Sequence, residues 1–290
     1  MKKILCLISC LFLLTINKGF TQTDITEMKY CAVAQEQDTG NKLSKVVSNV
    51  SGANFISTKA AELAIQKAIR TQLGSGTNVE IYPFTLGSLI QGKFKKMTLD
   101  SKSLNLAGLH ISNFSAATLC DYNQVGVKDN NLLFKENFVM KFSGKITQKD
   151  LKETMSSSQY LALVESVKIN LLGQTLFKMS NMDIGIKDNK LVITSKVMSH
   201  VMWGMDAKTI TATSGLAVEN GKIKYTDLKV MNGKSSKHLN SLLSLINLVN
   251  PFTFEIKLSK NTTGYTSVKN VIIKDNEIQM DGILYAPKNN

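Results

Sequence analysis

The sequence predicts an α+β fold, a curved antiparallel sheet wrapped around amphipathic helices and built as two related halves, on three observations. A strand, tight polar turn, strand cadence is written four times, as QVGVKDNNLLF (124–134), DIGIKDNKLVI (183–193), LAVENGKIKY (216–225) and NVIIKDNEIQMDGILYA (270–286). Asp-Asn and Asn-Gly tolerate the positive φ of two-residue turns whose twist matches the flanking strands. Between these hairpins one order of elements returns. A strand NFVMKFSGKI, a helix TQKDLKETMSSSQYLALVE and a strand VKINLLG are followed later by YTDLKVMNG, SSKHLNSLLSLINLVN and FTFEIKLSK. The strands also alternate: in the last of them Phe252, Phe254, Ile256 and Leu258 share one face and Thr253, Glu255 and Lys257 the other, so one face is dry.

Taken in order, residues 1–21 read as an export signal. Lys2 and Lys3 precede an apolar run from Ile4 to Ile16, too short for a membrane span. LISC at 7–10 has the form of a bacterial lipoprotein box that would place a lipid on Cys10; the continuation of the apolar run beyond Cys10 argues against it. Residues 22–52 form a polar lead-in and 53–290 the domain itself. In ISTKAAELAIQKAIRTQLG the residues Ile56, Ala60, Leu63, Ala64, Ile69 and Leu73 recur at helical spacing, with Ser57 or Thr58 to cap the start and Gly74 to end it. Paired apolar positions then mark strands: Val79 with Ile81, Met97 with Leu99, Leu104 with Leu106, Leu109 with Ile111. Pro83 interrupts them, leaving Phe84, Leu86, Leu89 and Ile90 for one short helical turn. The helix with Leu239, Leu242, Leu243, Leu245, Ile246, Leu248 and Val249 is apolar on more than one side, which predicts a helix enclosed by the sheet.

The formal charge is +13, and removing Lys2, Lys3 and Lys18, with no acid before Asp24, leaves +10. Arg70 is the sole arginine, so the charge is lysine, a solvated point charge rather than a bidentate reader of bases. Nucleic acid is thereby disfavoured as a partner, and an anionic membrane surface or a plain basic exterior both remain open. Cys31 and Cys120 are the two cysteines left after the signal, a disulfide candidate in an oxidising compartment.

Motifs for hydrolysis, phosphate cradling and metal binding are absent, so no catalytic residue, metal or cofactor is expected. His110, His200 and His238 are scattered over strand, loop and helix. A hydrolase reading would require His110 or His200 to meet a nucleophile and an acid in space. Two loops carry the candidate contacts. MSHVMWGMDA (198–207) places Met202, Trp203 and Met205 together, suited to an interface contact, a pocket mouth or the plug of a core end. PFTLGSLIQGKFKK (83–96) sets Phe84, Leu86, Leu89 and Ile90 before Lys93, Lys95 and Lys96, suited to shallow insertion beneath anionic headgroups or to a core-packed turn with a solvated end.

The stretch VEIYPFTLGSLIQGKFKKMTLDSKSLNLAGLHISNFSAATL resembles the LmeA-like phospholipid-binding proteins of bacteria, as do DIGIKDNKLVITSKV, ITATSGLAVENGKIKYTDLKV and VKNVIIKDNEIQMDGILY. The likeness covers roughly residues 53–286. It implies an exported, periplasmic or envelope protein and a fold similar to tubular lipid-binding (TULIP-like) domains. It also implies an elongated apolar cavity for the binding or transfer of glycerophospholipids, without catalysis. Under that reading Phe84, Leu86, Leu89, Ile90, Met202, Trp203, Met205, Leu242 and Ile246 contact lipid, and Lys93, Lys95 and Lys96 meet the headgroup. The alternative is a structural or adhesive envelope protein with a packed core that binds anionic surfaces or glycans.

Overall fold

Strands dominate the described residues, 59% against 21% helix, and every pairing among them is antiparallel. The structure is a computed structural model that describes Cys31 and residues 52–106, 108–171, 174–199, 207–231, 246–253 and 264–289. Its elements run α1 (Gly52–Leu73), β1 (Thr77–Tyr82), α2 (Leu86–Ile90), β2 (Lys93–Phe94), β3 (Lys96–Leu106), β4 (Leu109–Thr118), β5 (Asn123–Lys128), β6 (Asn131–Phe134) and β7 (Phe138–Thr147). They continue with α3 (Gln148–Met155), α4 (Ser158–Ser166), β8 (Lys168–Leu171), β9 (Gln174–Lys187), β10 (Lys190–Ser199), β11 (Ala207–Glu219) and β12 (Lys222–Val230). A 3-10 turn (Asn247–Val249), β13 (Tyr265–Lys274) and β14 (Glu277–Ala286) follow.

All four recurring turns are two-residue hairpins. Asp129-Asn130, Asp188-Asn189, Asn220-Gly221 and Asp275-Asn276 hold φ between 51° and 69° and pair Lys128 with Asn131, Lys187 with Lys190, Glu219 with Lys222 and Lys274 with Glu277. Two consecutive positive φ values define the turn that continues strand twist, and Asp, Asn and Gly are the residues that accept them.

The hairpins do not mark two equivalent halves. The first belongs to a three-stranded sheet β2-β5-β6, the second and third share the five-stranded sheet β12-β11-β10-β9-β8, and the fourth sits in the six-stranded sheet β1-β3-β4-β7-β14-β13. Nor, among the described residues, does a sheet wrap helices in the TULIP-like manner. Inner-face residues of the two larger sheets, among them Phe114, Phe142 and Met280 of one and Ile184, Ile193 and Ile223 of the other, join a single hydrophobic core. The sheets approach along two sides: α3 packs on both β4 and β9, and β13 lies beside β11 and β12. Alternation specifies that a strand face is dry but not what covers it, and here the opposite sheet supplies much of the cover that helices were expected to give.

Helices take peripheral places. The expected 147–165 helix is two short ones, because Ser156 ends the first and Ser157 caps α4, its hydroxyl accepting from the Tyr160 N–H. α3 is opened by Thr147 and Asp150, which form a reciprocal capping box. α1 begins at Gly52, so Ser57 and Thr58 lie within it rather than capping it, and Gly74 ends it at φ 102°. Its buried stripe is Ile65, Ala68, Ile69 and Leu73, while Leu63 is turned outward. The side chains of this helix finish the sheet: Gln66 Nε2 donates to Val79 O and Arg70 Nε to Thr77 O, each at 3.0 Å. β1 is an edge strand, and these bonds satisfy carbonyls that would otherwise be open for pairing. Arg70→Ala is expected to lower the unfolding free energy by about 1 kcal/mol, against less than ~0.5 kcal/mol for the exposed Lys67→Ala; urea unfolding of both variants checks it.

Three bulges reset the alternation. Asn113, Asn181 and Asp227 each sit at φ 50°, beside register shifts in β4–β7, β9–β10 and β11–β12. Each lets two residues three apart face inward, Ile111 with Phe114, Met179 with Met182, and Tyr225 with Leu228. The C-terminal tail then ties the small sheet down, with Asn289 accepting from Phe134 N at 2.6 Å and donating to Phe134 O at 2.8 Å.

Candidate functional site

The segment between β1 and β3 builds an exposed end on a rigid base. Thr85 accepts from Ser88 N and Ser88 Oγ accepts from Thr85 N, both at 3.0 Å, which fixes the single turn of α2. That turn drives Leu89 into the core at 2% exposure and leaves Ile90 outside at 47%. Gly92, at φ 74°, closes the turn: its carbonyl accepts from Val125 N at 2.9 Å, and a Cβ in its place would overlap the Val125 carbonyl. Lys95 N donates to Tyr82 O at 2.8 Å, which brings the two chain ends of the segment together.

Tyr82, itself 47% exposed, lies under Lys96, whose Nζ is 5.8 Å from the ring centroid. The Tyr82 hydroxyl donates to Glu80 Oε2 at 2.8 Å, and that hydrogen bond and charge raise its pKa, so the phenol is neutral at physiological pH. Phe84 is half-buried and stacks on Tyr122 at 6.1 Å. Behind them Asn123 Nδ2 donates to Lys95 O at 3.1 Å and Cys120 O at 2.8 Å, and Cys120 is bonded to Cys31 with Cα atoms 5.3 Å apart. The disulfide covers Val139 and Ile283 on the outer face of the six-stranded sheet.

Of the sequence candidates, Ile90, Lys95 and Lys96 are therefore exposed on the β1–β3 connection, with Phe84 half-buried in it and Lys93 half-buried in β2. Leu89 is a core residue, and the side chain of Leu86 lies outside the described residues. Ile246 is 3% exposed and packs with the core. Leu242, Met202, Trp203 and Met205 lie outside the described residues, as do His200, His238 and Cys10.

His110 does meet an acid, with Nδ1 3.2 Å from Glu153 Oε2. Its Nε2 faces Asn105 Nδ2 at 3.1 Å, and the amide oxygen of Asn105 accepts from Gly108 N, so the imidazole Nε2 accepts and no hydroxyl or thiol stands on it. Ser112 instead donates to Asp150 Oδ1 at 3.0 Å. These contacts tie α3 to the β3–β4 hairpin and assemble no nucleophile. Among the described residues no cluster of His, Cys, Asp and Glu has metal-ligand geometry, and no helix is long and apolar enough to cross a membrane.

A second polar cluster lies inside. The Tyr160 hydroxyl donates to Val249 O at 2.9 Å and lies 3.2 Å from Met182 Sδ. Tyr225 stacks edge-on to Phe252 at 6.1 Å, and its buried hydroxyl has no hydrogen-bond partner among the described residues. Burial raises both phenol pKa values, that of Tyr225 well above its ordinary value. The inward placement of Ile223 and Tyr225 follows the alternation in KIKYTD, but their chemical interest does not show in it. No family model, curated protein or solved structure matches the chain.

Proposed function

We propose that the chain is a non-catalytic, exported protein of the cell envelope that binds glycerophospholipids and meets anionic membrane through the β1–β3 end. The carrying observation is the joint exposure of Ile90 and Tyr82 beside Lys95 and Lys96, on a turn capped by Thr85 and closed by Gly92. An isoleucine and a phenol suit the headgroup boundary, and each lysine near an anionic surface contributes about 1 kcal/mol. Glu80 at the same edge offsets part of that attraction, and salt screens what remains. The resemblance to LmeA-like proteins supports the same ligand class.

Vesicle flotation tests the reading. Anionic phosphatidylglycerol vesicles are expected to carry the protein at low salt and phosphatidylcholine vesicles far less. The pair Lys95→Glu and Lys96→Glu is expected to weaken binding on the order of 10-fold or more, from two cations of about 1 kcal/mol each, and the neutral change Ile90→Ser to weaken it without changing the salt dependence. Equal binding to both vesicle types, or unchanged binding by the charge-reversed variant, overturns the surface assignment. Native mass spectrometry of detergent-free protein then asks whether phospholipid is carried inside. A lipid-free protein that remains so after incubation with vesicles favours a packed envelope module that binds surfaces alone.

A further inference from the structure

We propose that the Tyr225 hydroxyl is the polar anchor of a ligand lying along the inner face of β11 and β12, donating its hydrogen bond to the ester carbonyl of a glycerophospholipid. This rests on the lipid-binding reading above and assigns the ligand's neutral oxygen to one side chain.

Buried hydroxyls in folded proteins almost always have a partner, and one left without stands out as needing an acceptor. Tyr225 is such a group, on the inner face of β12, whereas the neighbouring Tyr160 already gives its proton to Val249 O. The described side chains around it are uncharged: Phe252 against the ring, Leu216 directly across the ladder, Ile223 and Leu228 on the same face, and two amides already engaged with the backbone, Asn247 accepting from Tyr225 N and Asn250 donating to Ile223 O. With the phenols of Tyr225 and Tyr160 held neutral by burial, the cluster offers a neutral donor and, among the described residues, no cation, so it suits an ester carbonyl and not a phosphate. The same face supplies a place for a hydrocarbon chain. Leu216, Val218, Leu228 and Val230 pack against the core yet are only half-buried, unlike Ile223 and Ala212 on the same strands.

The test compares phosphatidylglycerol carrying two ester-linked chains with the dialkyl ether analogue, which lacks both carbonyls, on lipid-stripped wild type and Tyr225→Phe. Wild type is expected to prefer the ester by roughly tenfold and the variant to bind both alike, the loss of one buried hydrogen bond. Lipid-stripped Tyr225→Phe is expected to unfold at the wild-type midpoint or above, whereas Tyr160→Phe, which leaves the Val249 carbonyl unpaired, unfolds earlier. If wild type binds ester and ether equally, the anchor is wrong while lipid binding stands. If Tyr225→Phe is as destabilised as Tyr160→Phe and loses both lipids, the hydroxyl is structural and the proposal falls. If wild type binds neither lipid, this proposal and the reading it rests on fall together.

Discussion

Replacing Cys31 or Cys120 by serine is expected to lower the unfolding free energy by ~4.6 kcal/mol, the chain-entropy value for a loop of this size. The two cysteines are 89 residues apart in sequence, so the bond removes a large share of the unfolded chain's freedom. In the folded state the bond also seats Cys31 on Val139, Ile283 and Tyr285, a small apolar cluster separate from the main core. Denaturant unfolding of wild type, Cys31→Ser, Cys120→Ser and the double variant checks the value. All three variants should fall together, because a lone partner leaves the same loop open. A loss below ~1 kcal/mol, within the range of an ordinary surface change, would show that the crosslink constrains little.

Gly92→Ala should cost about 3 kcal/mol, from strain at a left-handed position together with displacement of a neighbouring backbone. The φ of 74° disfavours any side chain, and the added Cβ meets the Val125 carbonyl, whose residue also donates to Gly92 O. The turn that places Leu89 inward and Ile90 outward would have to open. Gly87→Ala in α2 is the contrast: nothing stands near its Cβ position and its φ is not left-handed, so the change should be neutral or slightly stabilising. Thermal unfolding and vesicle flotation of the two variants should separate them, with Gly92→Ala impaired in both assays.

Local chemistry was the legible part of this chain. Asp-Asn and Asn-Gly fixed the four hairpins because two-residue turns leave so few alternatives. Pro83 and the following apolar residues announced α2, and Val79, Ile81, Met97 and Leu99 were inward as alternation required. What failed was the step from a dry face to its cover: Phe142 and Ile184 carry identical patterns whether a helix or a second sheet lies across from them. The bulges were hidden for a related reason. Asn113, Asn181 and Asp227 look like any polar residue on an outer face, and only the resulting inward pairs reveal that the phase has changed. At the candidate site the lysines and Ile90 were readable, whereas Tyr82, Tyr160 and Tyr225 acquire their roles from partners distant in sequence or from having none.

The position of β14 governs when the fold can be completed. It lies between β7 and β13 in the six-stranded sheet, and Asn289 reaches back to Phe134 across a sequence separation of 155. Local hairpins close in about 1–10 μs, but pairing Glu277 with Thr147 and Ala286 with Phe138 waits for loop closure over about half of the chain. A ribosome making this chain therefore releases β7 with one edge unpaired until β14 emerges. Until β14 arrives, the β7 edge is open to pairing with another copy.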